Sequence, residues 1–231
     1  MKESYAIVLA AGSGRRMGGN VPKQYRILCG KPVLYYSLKA FEESSVAGIV
    51  LVVAEDMQSY VQEEIIEKYH IKKIKAVIVG GKERQDSVKA GVMCLPKDSC
   101  VLVHDGARPF VSAELIERMI ENAQKKKACI PAVAVKDTIK LVHNGEIAAT
   151  PNRAELYAAQ TPQAFWTELL QEAFYKLEIC EPTLQVTDDA MLVEEVLGQR
   201  VAIVDGEYRN IKLTTEEDFV IAQAFLQQNA N

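Results

Sequence analysis

The chain has 231 residues, of which 48% are hydrophobic and 25% are charged, and its formal net charge is −4 at pH 7. This length suits one sizeable α/β domain and is short for two. A mildly negative balance argues against nucleic-acid binding, and no apolar run is long enough to predict a membrane span.

The cysteines and the N-terminal segment indicate the compartment. The five cysteines show no Cys-x-x-Cys spacing, and Cys100 and Cys129 stand beside apolar residues of predicted strands. Cysteines in such places are ordinarily buried, reduced thiols. The N-terminal segment MKESYAIVLAAG enters a strand directly and lacks the layout of a signal peptide. We therefore expect a cytoplasmic protein.

Apolar strands and helical segments alternate along the first 135 residues. Asp56 and Ser112 are predicted to cap the second and fourth helices, and Pro32 stands in the first turn of the first helix. Because each strand is almost continuously apolar, the pattern predicts an α/β, Rossmann-like fold with a mostly parallel sheet and helices on both faces. The predicted strands are 6–9, 49–53, 76–79, 101–103 and 129–135, and the predicted helices are 32–43, 56–69, 85–93 and 112–126.

This alternation breaks at Lys136. Residues 138–142 and 147–150 read as two strands joined by a turn at His143-Asn144-Gly145-Glu146, where Asn-Gly is a strong hairpin signal. An isolated hairpin is marginal in water, so we expect this one to pack against another surface, such as that of a second subunit. We call residues 136–156 the arm.

The last third of the chain returns to helices. Helices are predicted at 166–177 and 188–197, the second ended by Gly198, with a strand at 201–204. Thr214 and Glu217 are predicted to form a capping box for the last helix. Since no linker or repeat interrupts the pattern, residues 1–231 are predicted to form a single domain.

The segment from Leu9 to Tyr25 carries the strongest functional signal. It places small residues, Ala10, Ala11, Gly12 and Gly14, directly after a strand and follows them with three cations, Arg15, Arg16 and Lys23. Small residues let backbone N–H groups approach a ligand, and clustered cations suit a polyphosphate. A Walker loop is excluded because Asn20-Val21 follows Gly19, and Met17 breaks the dinucleotide pattern. The alternative is a strand-to-helix turn with solvated arginines.

Two further segments end at the same edge of the predicted sheet. Asp105 follows an apolar strand, where a carboxylate near a triphosphate is a natural Mg²⁺ ligand; a turn or capping role is the alternative. The segment from Gly80 to Ser87 pairs a glycine turn, Gly80-Gly81, with polar side chains at a helix start. It is suited to reading a base edge through backbone groups and the Ser87 hydroxyl, and the alternative is a plain strand–turn–helix connection. Arg108 is suited to bind a phosphate, and a surface salt bridge is the alternative. His104 is expected to be packed or hydrogen-bonded, and Lys212 by itself reads as a solvated lysine.

These segments resemble one family. The glycine-rich stretch is similar to the signature of the nucleotide-sugar pyrophosphorylase superfamily, and the chain resembles the 2-C-methyl-D-erythritol 4-phosphate cytidylyltransferase family of the non-mevalonate isoprenoid pathway nearly end to end. The matching stretches are Ala10-Ala11-Gly12-Ser13-Gly14-Arg15-Arg16-Met17, Pro22-Lys23-Gln24-Tyr25, Gly80-Gly81 through Arg84 to Ser87, His104-Asp105-Gly106-Ala107-Arg108-Pro109, Val135-Lys136-Asp137-Thr138-Ile139-Lys140, Arg153, Gln160-Thr161-Pro162-Gln163, Thr187-Asp188 and Asn210-Ile211-Lys212-Leu213-Thr214.

The resemblance implies a reaction and its partners. It implies transfer of CMP from CTP to a polyol phosphate, Mg²⁺ or another divalent cation as cofactor, and a homodimer joined through the arm, with no nucleic-acid or membrane partner. It also implies roles for single residues. Arg16 and Lys23 would stabilise the transition state, while Arg153 and Lys212 would position the acceptor. The remaining implied contacts are Asp105, Arg108, Thr138, Thr161 and Thr187 around acceptor and metal, Ala10, Ala11, Gly12, Gly81 and Ser87 around cytidine, and Gly14 and Arg15 in the triphosphate loop.

One departure and two alternatives stay open at this point. Lys82 occupies a base-site position that is acidic in some members, which puts base selectivity in doubt if a side chain makes that contact. Alditol-phosphate cytidylyltransferases, acting for example on ribitol 5-phosphate, share the loop and Gln160-Thr161-Pro162-Gln163, but they differ around Gly106-Ala107 and Asp137 to Lys140. A non-catalytic nucleotide-binding regulator is the second alternative, and the intact Arg16, Lys23, Asp105 and Lys212 count against it.

Overall fold

The computed structural model describes residues 2–12, 21–181 and 183–228. Their centre is an eight-stranded sheet made of β1 (Glu3–Ala10), β4 (Gly48–Val53), β5 (Ile74–Val79), β6 (Ser99–Asp105), β7 (Ala128–Ala134), β10 (Tyr157–Ala159), β11 (Gln163–Trp166) and β12 (Ala202–Asp205). Strands β5, β4, β1 and β6 run parallel in that order. Next to β6 lies the antiparallel β11, followed by β7, which also pairs with antiparallel β10 and parallel β12. The prediction of a mostly parallel α/β sheet is confirmed.

Helices cover both faces of this sheet. Along β1, Ala6 and Val8 belong to one buried cluster and Ile7 to another, because successive side chains of a strand point to opposite faces. Both faces therefore carry a core, which explains why the strands are apolar at nearly every position. The helices are α1 (Val33–Glu43), α2 (Gln58–Val61, continued by a π-helical segment Gln62–Glu67), α3 (Arg84–Met93), α4 (Ala113–Lys126), α5 (Thr167–Cys180), α6 (Asp189–Leu197) and α7 (Glu216–Gln228).

Several helix boundaries follow the predicted signals. The Ser112 hydroxyl accepts a hydrogen bond from Leu115 N, so Ser112 caps α4 as expected. Asp188 caps α6 through Met191 N, and Gly198 ends that helix at a φ of 61°. A positive φ costs a glycine little, which is the reason glycine ends helices so often.

Two predicted caps are wrong. Asp56 lies inside a 3₁₀ turn (Glu55–Met57) whose N-cap residue is Ala54, so Asp56 itself does not cap a helix. The capping box of α7 is shifted by one residue from the predicted Thr214 and Glu217. The Asp218 carboxylate accepts a hydrogen bond from Thr215 N at 2.8 Å, and the Thr215 hydroxyl accepts one from Asp218 N at 3.4 Å. Asp218 also accepts from Thr214, which favours this register.

The predicted hairpin is present, although its first strand begins later than expected. It consists of β8 (Leu141–His143) and β9 (Glu146–Ala149), joined through Asn144 and Gly145 at φ values of 52° and 84°. Every residue of both strands is exposed. A smaller hairpin, β2 (Ile27–Leu28) with β3 (Lys31–Pro32), precedes α1.

The expectation of buried thiols at Cys100 and Cys129 is confirmed. Cys100 and Cys129 are buried free thiols, while the other three cysteines are exposed free thiols. Within the described ranges, none of the helices has the length and apolarity that a membrane crossing requires.

Candidate active site

The small-residue segment after β1 is fastened to the turn that carries Lys23. Lys23 opens a 3₁₀ turn (Lys23–Tyr25), and the next residue, Gln24, donates from Nε2 to Ala10 O at 2.7 Å and to Gly12 O at 2.8 Å. The Tyr25 hydroxyl donates to Ala10 O at 2.9 Å. These bonds place Lys23 beside the strand end from which the loop departs. The predicted loop residues Gly14, Arg15 and Arg16 lie outside the described residues.

A second loop packs directly on this segment. Gly80 N donates to Val53 O at the end of β4, and a Cβ added at Gly80 would lie 2.5 Å from Ala11 Cβ. Only glycine permits so close an approach. The Ser87 hydroxyl accepts from Gly81 N at 3.1 Å and donates to Glu83 O at 3.3 Å, so in this structure it closes the turn before α3. Gly81 itself is exposed, next to this turn.

Asp105, the last residue of β6, lies between two cations. Its Oδ2 is 2.7 Å from Lys212 Nζ, and its Oδ1 is 3.4 Å from Arg84 Nε. Burial raises the pKa of the Asp105 carboxyl, but Arg84 and Lys212 lower it by more, so it lies well below its ordinary value. Asp105 is therefore ionised at neutral pH. The structure corrects the interpretation of Lys212 as a solvated lysine, since its side chain is only 36% exposed and pairs with Asp105.

The backbone beside Asp105 is held by buried polar groups. The Thr161 hydroxyl accepts from Asp105 N at 3.2 Å and lies 3.0 Å from His104 Nδ1. His104 Nε2 lies 3.2 Å from Arg108 O, and because a carbonyl only accepts, Nε2 carries the proton. Burial lowers the pKa of His104 to about 4. His104 is therefore a packed, neutral, hydrogen-bonded residue, as predicted.

Arg84 extends the cluster to α6. Its Nη1 and Nη2 donate to the two oxygens of Asp189 at 3.0 and 2.8 Å, and Asp189 is 2% exposed. Burial lowers the pKa of Arg84, but Asp189 and Asp105 raise it by more. Burial raises the pKa of Asp189, and Arg84 opposes that effect. The two-bond geometry of the pair indicates a charged arginine facing a carboxylate.

Arg108 lies beneath this cluster rather than in a surface salt bridge. Its Nη1 donates to Asn210 O at 2.7 Å, and Asn210 Nδ2 donates to Thr161 O at 2.8 Å. The segment 210–213 is thereby bound to the end of β6, since Leu213 N also donates to Ala107 O. These bonds explain why Lys212, far away in sequence, reaches Asp105.

Three predicted site residues are exposed: Thr138, Arg153 and Thr187. Thr138 and Arg153 are exposed on the arm, where Arg153 Nη1 donates to Lys136 O at 2.9 Å. Thr187 is exposed just before α6, and its hydroxyl is 3.4 Å from Met191 Sδ. Among the described residues of this one chain, the structure therefore brings together the groups at the strand ends, whereas Arg153 bonds within the arm itself.

Sequence reasoning gave no role to three residues that organise the site: Arg84, Gln163 and Asp189. Arg84 and Gln163 belong to matching stretches, and that was the available signal. Asp189 offered none, because an acidic residue after a helix cap is common. Gln163 Oε1 accepts from Asp189 N at 2.9 Å and from Ala190 N at 3.1 Å.

The donor chemistry also bears on a metal ion. Among residues 2–12, 21–181 and 183–228 there is no group of three or more His, Cys, Asp or Glu side chains that could hold one unaided. Mg²⁺ often takes one or two carboxylates and completes its shell with phosphate oxygens and water. Asp105 fits that demand: it is ionised, and the long contact from Arg84 leaves its Oδ1 able to accept a cation.

A mostly parallel sheet whose strand ends gather a small-residue loop, one ionised carboxylate and several cations defines the chain as an α/β nucleotidyltransferase. The sequence pattern of the family described as "2-C-methyl-D-erythritol 4-phosphate cytidylyltransferase" matches residues 4–228. The chain belongs to this family, as its resemblance implied.

Individual relatives agree. A protein of Lachnoclostridium phytofermentans with that name is 48% identical over 230 residues, which cover 99% of this chain and 98% of the relative. The crystal structure of "4-diphosphocytidyl-2C-methyl-D-erythritolsynthase" from Anaerococcus prevotii aligns with a TM-score of 0.85 at 38% identity, over 98% of this chain and 96% of that one. The crystal structure of the Thermus thermophilus cytidylyltransferase aligns with a TM-score of 0.78 at 33% identity, over 98% and 100%. Of the alternatives left open by the sequence, the family match supports the methylerythritol phosphate enzyme.

Proposed function

We propose that the cluster around Asp105 is the centre at which this chain performs the reaction of its family. That reaction moves CMP from CTP to 2-C-methyl-D-erythritol 4-phosphate and gives 4-diphosphocytidyl-2-C-methyl-D-erythritol and pyrophosphate. The observation that carries the proposal is the 2.7 Å contact of Lys212 with Asp105, at a strand end beside the Ala10–Gly12 segment. A carboxylate and a partly exposed cation then stand next to a backbone suited to phosphates.

The chemistry needs positioning more than proton transfer. An oxygen of the acceptor phosphate attacks the α-phosphorus of CTP, a new P–O bond forms, and the bond to pyrophosphate breaks. The attacking phosphate is ionised at neutral pH, so no general base is required. His104 supports this interpretation, because it is buried and neutral and its ring nitrogens are engaged by Thr161 and Arg108. Cations aimed at the developing charge remain as the source of catalysis.

We assign the cations by their positions. Lys23 would meet the triphosphate, because Gln24 binds its turn to Ala10 and Gly12. Arg15 and Arg16 belong to the same loop in sequence and would act with it. Lys212 would meet the phosphate of the acceptor, because its side chain is 36% exposed and pairs with Asp105, whereas Arg84 is also bonded twice to Asp189. Ala10, Ala11, Gly12, Gly81 and Ser87 would border the nucleotide.

We propose Asp105 as the protein ligand of Mg²⁺ or another divalent cation. Triphosphate oxygens would supply further ligands. When bound, the ion offsets the charge of the triphosphate. Arg108 and Thr161 support Asp105 from beneath through Asn210 and Asp105 N.

We infer that the working form is a homodimer joined through the arm. Leu141, Val142 and Ile147 are each more than half exposed on β8 and β9, and a lone hairpin is marginal in water. A second copy of the chain would cover this apolar surface. Thr138 and Arg153 would then complete the acceptor site of the neighbour, with Thr187 at its border.

We further propose that residues 1–231 work as one domain, with the arm at about 136–156, in the cytoplasm. Among the described residues, the first strand, β1, and the last strand, β12, belong to the same eight-stranded sheet, which supports the domain assignment. The five free cysteines support a reducing compartment.

Pyrophosphate release tests the function directly. Purified protein with Mg²⁺ and CTP is given either 2-C-methyl-D-erythritol 4-phosphate or ribitol 5-phosphate, with a no-acceptor control. We expect release with the first acceptor and far less with the second. Equal or greater kcat/KM with ribitol 5-phosphate would overturn the acceptor assignment, and no release with either acceptor would overturn the catalytic role.

A further inference from the structure

Arg84 connects three elements, α3, α6 and β6, at one point. It is the first residue of α3, Asp189 is the first residue of α6, and Asp105 ends β6. The Arg84 guanidinium makes two bonds to Asp189 and one long contact to Asp105. A buried carboxylate is costly unless a cation pairs with it, so Asp189 and Arg84 depend on each other.

The bonds to Asp189 orient the guanidinium. Gln163 on β11 accepts from Asp189 N and Ala190 N and donates to Asp188 Oδ2, so the start of α6 is fastened to the sheet. A guanidinium is planar, and a two-bond contact from both Nη atoms fixes its plane. The single N–H on Nε then points to Asp105 Oδ1, at 3.4 Å.

The two cations that hold Asp105 differ in how firmly they are held. Their side chains are similarly exposed, 30% for Arg84 and 36% for Lys212, but Arg84 is anchored by two bonds to the almost fully buried Asp189, whereas Lys212 ends a flexible side chain whose ammonium group pairs with Asp105. If Lys212 turns to an acceptor phosphate, Arg84 is the contact that still sets the direction of the Asp105 carboxylate.

We propose that Arg84 and Asp189 are positioning residues, which hold the Asp105 carboxylate in the direction needed for the metal–nucleotide complex. This inference rests on the proposed role of Asp105. Residues that orient a metal-binding group commonly contribute 10- to 100-fold, roughly, to metal affinity or activity.

The test removes the pair without leaving a buried charge. Replacing both partners by apolar residues of similar size, Arg84→Met with Asp189→Leu, is often neutral for stability, whereas Arg84→Met alone leaves Asp189 unpaired and should lower Tm. In the double variant we expect a Tm near that of the wild type and a fall of about 10- to 100-fold in kcat/KM for CTP. The affinity of the enzyme–CTP complex for Mn²⁺, followed by electron paramagnetic resonance without acceptor, should fall by a similar factor of about 10 to 100, while the KM of the acceptor changes little.

Two further variants keep the result interpretable. Arg118→Met with Glu207→Leu removes another arginine–carboxylate pair, between α4 and the segment after β12, and should leave kcat/KM and Mn²⁺ affinity near those of the wild type. Arg84→Lys keeps a cation beside Asp189 but loses the planar fork of the guanidinium, so it should weaken Mn²⁺ binding. This single variant tests the inference even when the double variant does not fold.

The outcomes separate this inference from the proposed function. Suppose that Asp105→Asn is impaired. The positioning role is then refuted if the folded double variant, or Arg84→Lys, keeps the Mn²⁺ affinity and the kcat/KM of the wild type. If Asp105→Asn itself binds Mn²⁺ normally, the role of Asp105 fails and the inference fails with it.

Discussion

Lys212 and Asp105 form an ion pair between segments far apart in sequence, with Nζ and Oδ2 2.7 Å apart. The bonds that carry Lys212 there run through Arg108, Asn210 and Leu213, which bind the segment before α7 to the end of β6. The pair places an ionised carboxylate and a partly exposed cation at the edge of the sheet where parallel α/β folds bind their ligands.

Asp105→Asn should raise the Mg²⁺ concentration needed for half-maximal activity. An amide cannot supply the negative charge that a hard cation prefers. The charge-assisted contact with Lys212, of a kind worth about 1.5–3 kcal/mol, is weakened as well. The measurement is the initial rate against Mg²⁺ concentration at saturating CTP. An unaltered Mg²⁺ curve would make Asp105 a structural residue, and full turnover after exhaustive chelation would remove the metal from the mechanism.

Lys23→Ala should mainly lower kcat. A cation beside the triphosphate meets charge that grows as pyrophosphate leaves, and loss of one preorganised donor costs roughly 10²- to 10³-fold in rate. Steady-state kinetics with CTP and acceptor measures the change, and circular dichroism shows whether the variant is folded. A folded variant with wild-type kcat would exclude Lys23 from the mechanism.

Activity should fall on acidification without any part played by His104. The second pKa of a phosphate monoester is about 6, so the dianion of the acceptor is lost below that pH. His104 has a pKa lowered to about 4 by burial and is already neutral across this range. In His104→Asn, the acidic limb of the kcat/KM profile should keep its position. Loss of that limb in the folded variant would assign the titration to His104.

The free energy of unfolding should depend on pH through His104. The pKa of His104 is lowered from 6.5 to about 4 in the folded chain, so between these values the unfolded chain binds more protons. The free energy of unfolding therefore rises with pH across this window, and about 3 kcal/mol at most is lost as the pH falls from 6.5 to 4.

Urea unfolding at several pH values checks this, with His104→Asn as the comparison. The difference in the free energy of unfolding between wild type and variant should shrink as the pH falls from 6.5 to 4. A difference that stays constant over that range would show that His104 does not contribute to the pH dependence.

Co-refolding of two inactive variants tests the arm. Lys23→Ala and Arg153→Ala, each inactive alone, are mixed in equal amounts. With random pairing about half of the dimers are mixed, and each mixed dimer holds one intact site if Arg153 serves the neighbour, so about a quarter of wild-type activity returns. If Arg153 acts within its own subunit, every active site in the mixture contains one of the two substitutions, so no activity returns. Absence of recovery, with mixed dimers shown to be present, would refute the shared site.

The sequence alone determined those elements that local signals specify. Near-continuous apolar runs predicted β1, β4, β6 and β7, because a strand buried on both faces needs apolar side chains at nearly every position. A similar run predicted β5, although this strand lies at the edge of the sheet and is only partly buried. Ser112, Gly198 and the Asn144-Gly145 turn each satisfy a local backbone need, so their places follow from the chain itself. The convergence of Gly80 and Asp105 with the first loop also followed, since parallel strands end at one edge.

The tertiary structure decided what depends on partners distant in sequence. Strands β10 and β11 have three and four residues, too few to show a period, and only pairing with β7 and β6 makes them strands. Thr161 turns inward to hold Asp105 N because β11 lies next to β6. Arg84 and Asp189 are 105 residues apart, and nothing local distinguishes them from a surface arginine and an ordinary helix-start acid. Sheet order brought them together, and burial then required their charges to pair.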